Sequence, residues 1–166
     1  MVTLFPDRYF HIGGDEANTK PWSASPRIVA FMKQESLTGR GALQAHFNTR
    51  LSAILTKLNR TMVGWDETLH PGLPTTTVVQ SWRGQAALVK STAAGHRGIL
   101  SNGYYLDHMK SAGYHYEIDP GENENLLGGE ACLWAEYVTQ DNVDMRIWPR
   151  MAAIAERLWS PASVRD

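Results

Sequence analysis

One cysteine in 166 residues leaves no partner for an internal disulfide. Cys132 stands in an apolar run, Glu-Ala-Cys-Leu-Trp over 130–134, where a buried, inert thiol is expected rather than a nucleophile. An excess of charge of one sign is also lacking, because 16 basic residues face 17 acidic ones. Without a basic stripe, nucleic acid is not an expected partner and a membrane surface has little to attract. Long apolar runs are missing too: none approaches the ~20 residues of a membrane-spanning helix, so no membrane is expected. The opening residues, Met-Val-Thr-Leu-Phe-Pro-Asp, lack the charged start and apolar stretch of a signal peptide. Repeats, low-complexity tracts and flexible linkers are absent, and a single domain over residues 1–166 is expected.

What the chain has in quantity is aromatic rings. It carries six tryptophans and six tyrosines, several of them next to carboxylates and outside helical apolar stripes. Ring faces beside acids suit carbohydrate, since rings stack on sugars and carboxylates accept from hydroxyls, although cores also use aromatics.

Short apolar runs alternate with helical patterns, which argues for parallel α/β structure. Residues Tyr9 to Ile12 read as a buried strand that stops at Gly13 and Gly14. Ser25 followed by Pro26 opens a short helix, a capping residue with proline at the first helical position. A longer helix follows, with Leu43, Phe47, Leu51, Ile54, Leu55 and Leu58 recurring three and four apart on one apolar face. Further strands are expected at 61–65, 77–82, 98–101 and 126–131, with a helix at 85–94 closed by Gly95. Residues 66–75 hold two prolines and are too short for a full helix. One closing helix is expected from Asp144 to Leu158, built on Met145, Trp148, Met151, Ala152, Ala155 and Leu158.

Chemistry-bearing residues follow each strand. Asp15 and Glu16 follow the first, Trp65, Asp66 and Glu67 the second, and Trp82 and Arg83 the third. Tyr105 and Asp107 follow the fourth, and Trp134 and Glu136 the fifth. Polar and aromatic groups gathered at the carboxyl ends of successive parallel strands are the layout of a (β/α)8 barrel's active face. Five strands do not close such a barrel, which takes eight strands and about 250 residues.

The segment His11-Ile-Gly-Gly-Asp-Glu16 narrows the chemistry. An ordinary glycosidase sets two carboxyls ~5–9.5 Å apart across the scissile bond. Adjacent strand residues face opposite ways, so Asp15 and Glu16 do not flank one bond in that manner. With one of them as proton donor, the nucleophile has to come from elsewhere. In the substrate-assisted variant it is the sugar's own 2-acetamido oxygen, and the second carboxylate can orient the acetamido N–H. Two other readings stand beside this one: a metal site with His11 as a ligand, and a structural pair capping the next turn.

The sequence resembles the carboxyl-terminal half of the catalytic barrel of family 20 glycoside hydrolases, the β-N-acetylhexosaminidases. The likeness runs from Phe5 to Ser160 and rests on ordered motifs. These are His-Ile-Gly-Gly-Asp-Glu at 11–16, Gly-Trp-Asp-Glu at 64–67, Gln-Ser-Trp at 80–82 and Tyr-Leu-Asp at 105–107. Gly-Gly-Glu-Ala-Cys-Leu-Trp-Ala-Glu at 128–136 and Trp-Pro-Arg-Met-Ala-Ala-Ile-Ala-Glu-Arg at 148–157 complete them. The resemblance implies an α/β fold that is a partial (β/α)8 TIM barrel, roughly strands 4 to 8, so that residues 1–166 are a partial catalytic domain. It implies retaining, substrate-assisted hydrolysis of terminal non-reducing β-linked N-acetylglucosamine or N-acetylgalactosamine, from chitin or glycoconjugates. Glu16 would protonate the glycosidic oxygen and later activate water. Asp15 would hold the acetamido nitrogen, and Tyr105 the acetamido oxygen as it attacks. Trp65, Trp82 and Trp134 would wall the pocket around the acetamido methyl group, excluding water and holding the nucleophile in place. Asp107 and Glu136 would take hydroxyls on the far side of the sugar. The resemblance implies no cofactor and no metal.

From the residues themselves, Asp66 and Glu67 read as turn or solvent carboxylates, while Trp65 and Trp134 also suit a core. The i, i+2 spacing of Trp134 and Glu136 puts both on one side of an extended segment. Arg150, Glu156 and Arg157 read as packing or salt-bridge residues of the last helix. The family also draws an arginine, an aspartate and a histidine from earlier barrel strands, which would precede Met1. Many members carry a tryptophan after the Tyr-Leu-Asp motif, where Tyr114 or Tyr116 would stack instead. An incomplete barrel exposes strand edges and inner apolar surface, so self-association is expected. A periplasmic or secreted parent protein is the expected setting. Two alternatives remain: a non-catalytic or weakly active carbohydrate-binding half-barrel, and a different glycosidase pairing Glu16 with Glu136.

Overall fold

A computed structural model of the protein describes residues 1–165, without the side chain of Arg40. Its contacts divide the chain into two units, Met1–Val79 and Gln80–Asp166.

The first unit runs β1 (Tyr9–His11), α1 (Lys20–Ala24), α2 (Pro26–Gln34), α3 (Arg40–Lys57) and β2 (Thr61–Trp65). β1 and β2 are parallel, with Tyr9 opposite Thr61 and His11 opposite Val63. Parallel neighbours require a crossover, which the three helices supply. β2 is buried from Met62 through Trp65, as a near-continuous apolar run covered on both faces should be. Leu55, Met62 and Leu73 form the unit's core, with Phe10, Ile12 and Leu51 packed against them. The apolar face expected of α3 is only partly used: Leu55 is buried, whereas Phe47 is 58% and Ile54 51% exposed. That stripe is broader than β2 can cover. Its outer part lines an open, largely apolar cleft of about 950 Å3 together with Trp22, Ile28 and Phe31. α1, which the pattern reading did not anticipate, is too short to show a helical period.

β3 (Val78–Ser81) leads into the second unit, which continues with α4 (Gln85–Ala93), β4 (Gly98–Leu100), α5 (Ala112–Glu117), β5 (Leu126–Gly129), α6 (Val143–Ile147) and α7 (Arg150–Trp159). The Ser81 carbonyl accepts from the amides of Ser101 at 2.8 Å and Asn102 at 3.0 Å. β4 and β5 are parallel, with Leu100 opposite Gly129. The core here is Leu88, Leu100, Tyr104, Leu106 and Ile154. Gly129 has to be glycine because a Cβ there would lie 2.6 Å from the Tyr104 ring. The single closing helix expected over 144–158 is instead two. Pro149 brings no amide hydrogen and forces Trp148 into extended backbone (ψ 141°), so α6 stops and α7 starts afresh. Along α7, Arg157 pairs with Asp119 at 2.7 Å and Glu156 accepts from Ser160 at 2.6 Å. Cys132 is buried as expected, and burial pushes its thiol up to about 12. Among the described residues, no helix is long and apolar enough to cross a membrane.

His115 on α5 is wholly buried, and its Nδ1 donates to the Gly103 carbonyl at 2.6 Å. Burial disfavours the imidazolium and holds its pKa below the ordinary histidine value. Below about pH 6.5 the unfolded chain therefore binds a proton that the folded chain resists, so stability falls as pH falls. Thermal unfolding from about pH 7.5 to about 5.5 should show a declining midpoint in the wild type and a flatter profile in His115→Gln.

Candidate active site

At the end of β1 the chain turns through two glycines with positive φ, Gly13 at 72° and Gly14 at 100°. Pairing continues briefly past the strand, with the Trp65 amide donating to the Gly13 carbonyl at 3.0 Å. From α3, Gln44 Nε2 donates to the Gly14 carbonyl at 2.7 Å. Thr68 closes the turn from below: a Cβ on Gly14 or on Gly64 would lie 2.6 Å from its methyl group. This packed turn delivers Asp15 and Glu16 with both side chains exposed. Glu16 sits at φ 45°, in the left-handed region where a side-chain-bearing residue is strained. Trp65 is 8% exposed, and its ring meets His11 edge-on at 5.1 Å. His11 Nδ1 accepts from the Gly13 amide at 3.0 Å, which occupies that nitrogen. Among the described residues, no three acidic, histidine or cysteine side chains are grouped to hold a metal ion. Asp66 is buried and Glu67 half-buried in a 3₁₀ turn over Asp66–Thr68.

In the second unit, Trp82 is half-buried after β3, and its carbonyl accepts from Asn102 Nδ2 at 2.9 Å. Beyond β4, Tyr104 and Tyr105 part company. Tyr104 enters the core and donates to the Ile118 carbonyl at 3.0 Å, whereas Tyr105 stays half-exposed and bridges in parallel to Cys132. The Tyr105 and Trp134 rings meet edge-on, 6.3 Å between centres. Asp107 is 6% exposed, and its Oδ1 accepts from the Trp134 amide at 3.3 Å. Glu136 is exposed in a 3₁₀ turn over Ala135–Tyr137. The same-side argument for Trp134 and Glu136 therefore fails, because the extended geometry it assumed ends at Trp134. The structure thus brings Tyr105, Asp107 and Trp134 together, while Trp82 and Tyr105 line one cavity of about 390 Å3 with Tyr114. Tyr116 lies elsewhere, its ring 6.0 Å from the Arg157 guanidinium.

Two residues missed as site components are Arg146 and Arg150. Arg150 is 5% exposed and donates to the Leu106 carbonyl at 2.8 Å, to the Lys110 carbonyl at 3.5 Å and to the Arg146 carbonyl. Arg146 donates to the Asp107 carbonyl at 2.8 Å. Two guanidinium groups thus grip the backbone that carries Tyr105 and Asp107. Burial lowers the Arg150 pKa, with the neighbouring Arg146 charge adding to the effect. The motif Trp-Pro-Arg marked Arg150 in the sequence, but only as a packing residue.

Comparison with known proteins gives a consistent answer. The family model described as glycosyl hydrolase family 20, catalytic domain, matches residues 1–120 and 112–162. Beta-hexosaminidase subunit A2 of Dictyostelium discoideum is 38% identical across 100% of this chain and 34% of its own length. Human beta-hexosaminidase subunit beta is 36% identical across 98% of the chain and 32% of its own. The chain thus spans about a third of the curated relatives it matches. Flavobacterium johnsoniae chitobiase superposes with a TM-score of 0.92 at 40% identity, over 99% of this chain and 28% of that one. An exo β-N-acetylglucosaminidase from Vibrio harveyi, solved in complex with N-acetylglucosamine, gives 0.90 at 29% identity, over 99% and 30%. These solved enzymes are (β/α)8 barrels, and the α/β fold of this chain is that of a partial barrel.

Removing the Arg150 guanidinium would leave buried carbonyls without donors. Arg150→Met should lower stability by about 2–4 kcal/mol in a denaturant titration, with Arg150→Lys recovering part of it.

Proposed function

The chain belongs to glycosyl hydrolase family 20, and from that premise we propose that residues 1–166 are part of one catalytic domain that removes terminal, non-reducing β-linked N-acetylglucosamine or N-acetylgalactosamine with retention of configuration. The observation that carries the proposal is the turn after β1. It presents Asp15 and Glu16 exposed and side by side, with Glu16 held at φ 45°. Strain of this kind persists where surrounding packing enforces it, and it gathers at functional sites. The Vibrio harveyi neighbour, bound to N-acetylglucosamine, supports the choice of sugar.

The roles follow from what each group can do. Glu16 gives its proton to the glycosidic oxygen as the bond to the anomeric carbon breaks. The substrate's acetamido oxygen closes onto that carbon, forming a cyclic intermediate with positive charge on the acetamido group. Asp15 accepts from the acetamido N–H and offsets that charge, and the Tyr105 hydroxyl donates to the attacking oxygen. Glu16, now a carboxylate, takes a proton from water, which opens the ring from the face the leaving group left. Trp65, Trp82 and Trp134 enclose the acetamido methyl group and exclude water. Asp107 and Glu136 accept from hydroxyls at the sugar's other side; Asp107 keeps Oδ2 for this while Oδ1 is taken by the Trp134 amide. The chemistry calls for no metal or cofactor, and the partner is an N-acetylhexosamine-containing oligosaccharide.

Release of nitrophenol from 4-nitrophenyl N-acetyl-β-glucosaminide should fall about 10²-fold or more in Glu16→Gln, while the matching glucoside without an acetamido group stays uncleaved. Comparable cleavage of the plain glucoside would point to a two-carboxylate glycosidase. Sugar binding without Glu16-dependent release would point to a binding module.

Self-association belongs to the same proposal. Phe47, Ile54 and Val29 leave apolar surface open on the first unit. Light scattering should show a mass rising with protein concentration, and a constant monomer mass would overturn the expectation.

A further inference from the structure

The cavity of about 390 Å3 beside Trp82 and Tyr105 has a size suited to a small ligand, within roughly 300–1,000 Å3, and a lining that the hydrolysis of the terminal sugar does not use. Arg83, His108, Lys110 and Tyr114 contribute to that lining, and no carboxylate does. Asp107, the acidic neighbour, is buried; the Trp134 amide holds one oxygen and His108 Nε2 lies 3.6 Å from the other. Tyr114 is 42% exposed and the Lys110 ammonium lies 5.5 Å from its ring centre. An apolar ring face with a cation at its side fits a sugar ring that carries an anionic group.

The cavity's place relative to the proposed roles says which sugar enters it. Tyr105, assigned to the acetamido oxygen, borders the cavity, whereas Asp107, Trp134 and Glu136, assigned to the far side of the terminal sugar, do not. The acetamido group sits on the carbon next to the one that is cleaved. We propose that this cavity takes the sugar on the leaving-group side of the bond and selects one bearing a carboxylate or a sulfate. The inference rests on the catalytic reading above and sharpens it: the substrate is a glycan in which N-acetylhexosamine is attached to an acidic sugar, in preference to a neutral chain of N-acetylglucosamine.

Three thio-linked disaccharides that resist hydrolysis test this by calorimetric titration of the chain. Each has terminal N-acetylglucosamine, linked to glucuronic acid, to 6-sulfated galactose or to plain galactose. At low salt the anionic pair should bind about five- to tenfold tighter than the neutral one, with the advantage shrinking as salt is raised. A preference confined to one anionic disaccharide identifies carboxylate or sulfate as the recognised group. Lys110→Gln should remove most of the advantage while neutral binding stays within about twofold, and Lys110→Arg should retain it. Equal affinities, binding by none of the three, or an advantage that survives Lys110→Gln combined with Arg83→Gln would overturn the proposal. The nitrophenyl substrate, whose leaving group carries no such charge, keeps the two readings apart. Glu16-dependent release without anionic preference sinks this inference alone, and anionic preference without release sinks the catalytic reading.

Discussion

A parallel strand hands its chain to a loop at a point where ladder pairing stops, and every backbone group beyond that point needs a new partner. That requirement shapes both units. After β1, the carbonyls of Gly13 and Gly14 are taken by the Trp65 amide and the Gln44 side chain. After β2, the Trp65 carbonyl is taken by the Thr68 hydroxyl at 2.8 Å. In the second unit, Gly84, Trp82, Leu106 and Asp107 offer carbonyls that Ser81, Asn102, Arg150 and Arg146 satisfy. Side-chain donors replace the missing strand neighbour at each place, and the residues with chemistry to do stand next to the carbonyls so fixed. Satisfying the backbone and aiming the site are therefore one task.

The two units handle charge differently. In the first, Asp15 and Glu16 remain in water, so their ionisation carries no large desolvation penalty, and the strain is placed in the backbone instead. In the second, Asp107 is buried, and its burial is tolerable because an amide, a histidine and two nearby guanidinium groups surround it. Exposed acid and buried acid thus coexist along one chain without a metal ligand set among the described residues.

Much of this was legible in the amino-acid order. β2 falls on 61–65 as expected, because five residues buried on both faces leave a continuous apolar run that nothing else produces at that length. Asp15 and Glu16 were legible because a Gly-Gly turn after a strand has few uses. Other features had no local signal. Arg146 and Arg150 meet the turn at Asp107 and Leu106 across 39 and 44 residues, and spacing says nothing about contacts of that range. The break between α6 and α7 was written in Pro149, yet the apolar spacing from Met145 to Leu158 continued across it and suggested one helix. Glu136 was misplaced because period-two reasoning assumes an extended chain, and Ala135 begins a tight turn. The face of α3 shows the opposite failure: its pattern was read correctly, but pattern alone does not say how much of a stripe finds cover.

Cys132 turns out to be useful for a reason unrelated to reactivity. It is the chain's sole thiol, buried, and bonded through its backbone to Tyr104 and Leu106 on the segment that leads to Trp134. A thiol held near 12 by burial is silent toward alkylating reagents while the fold is closed. Any labelling that does occur counts openings of the stretch between Tyr105 and Trp134, so the protein carries its own clock for the breathing of that wall.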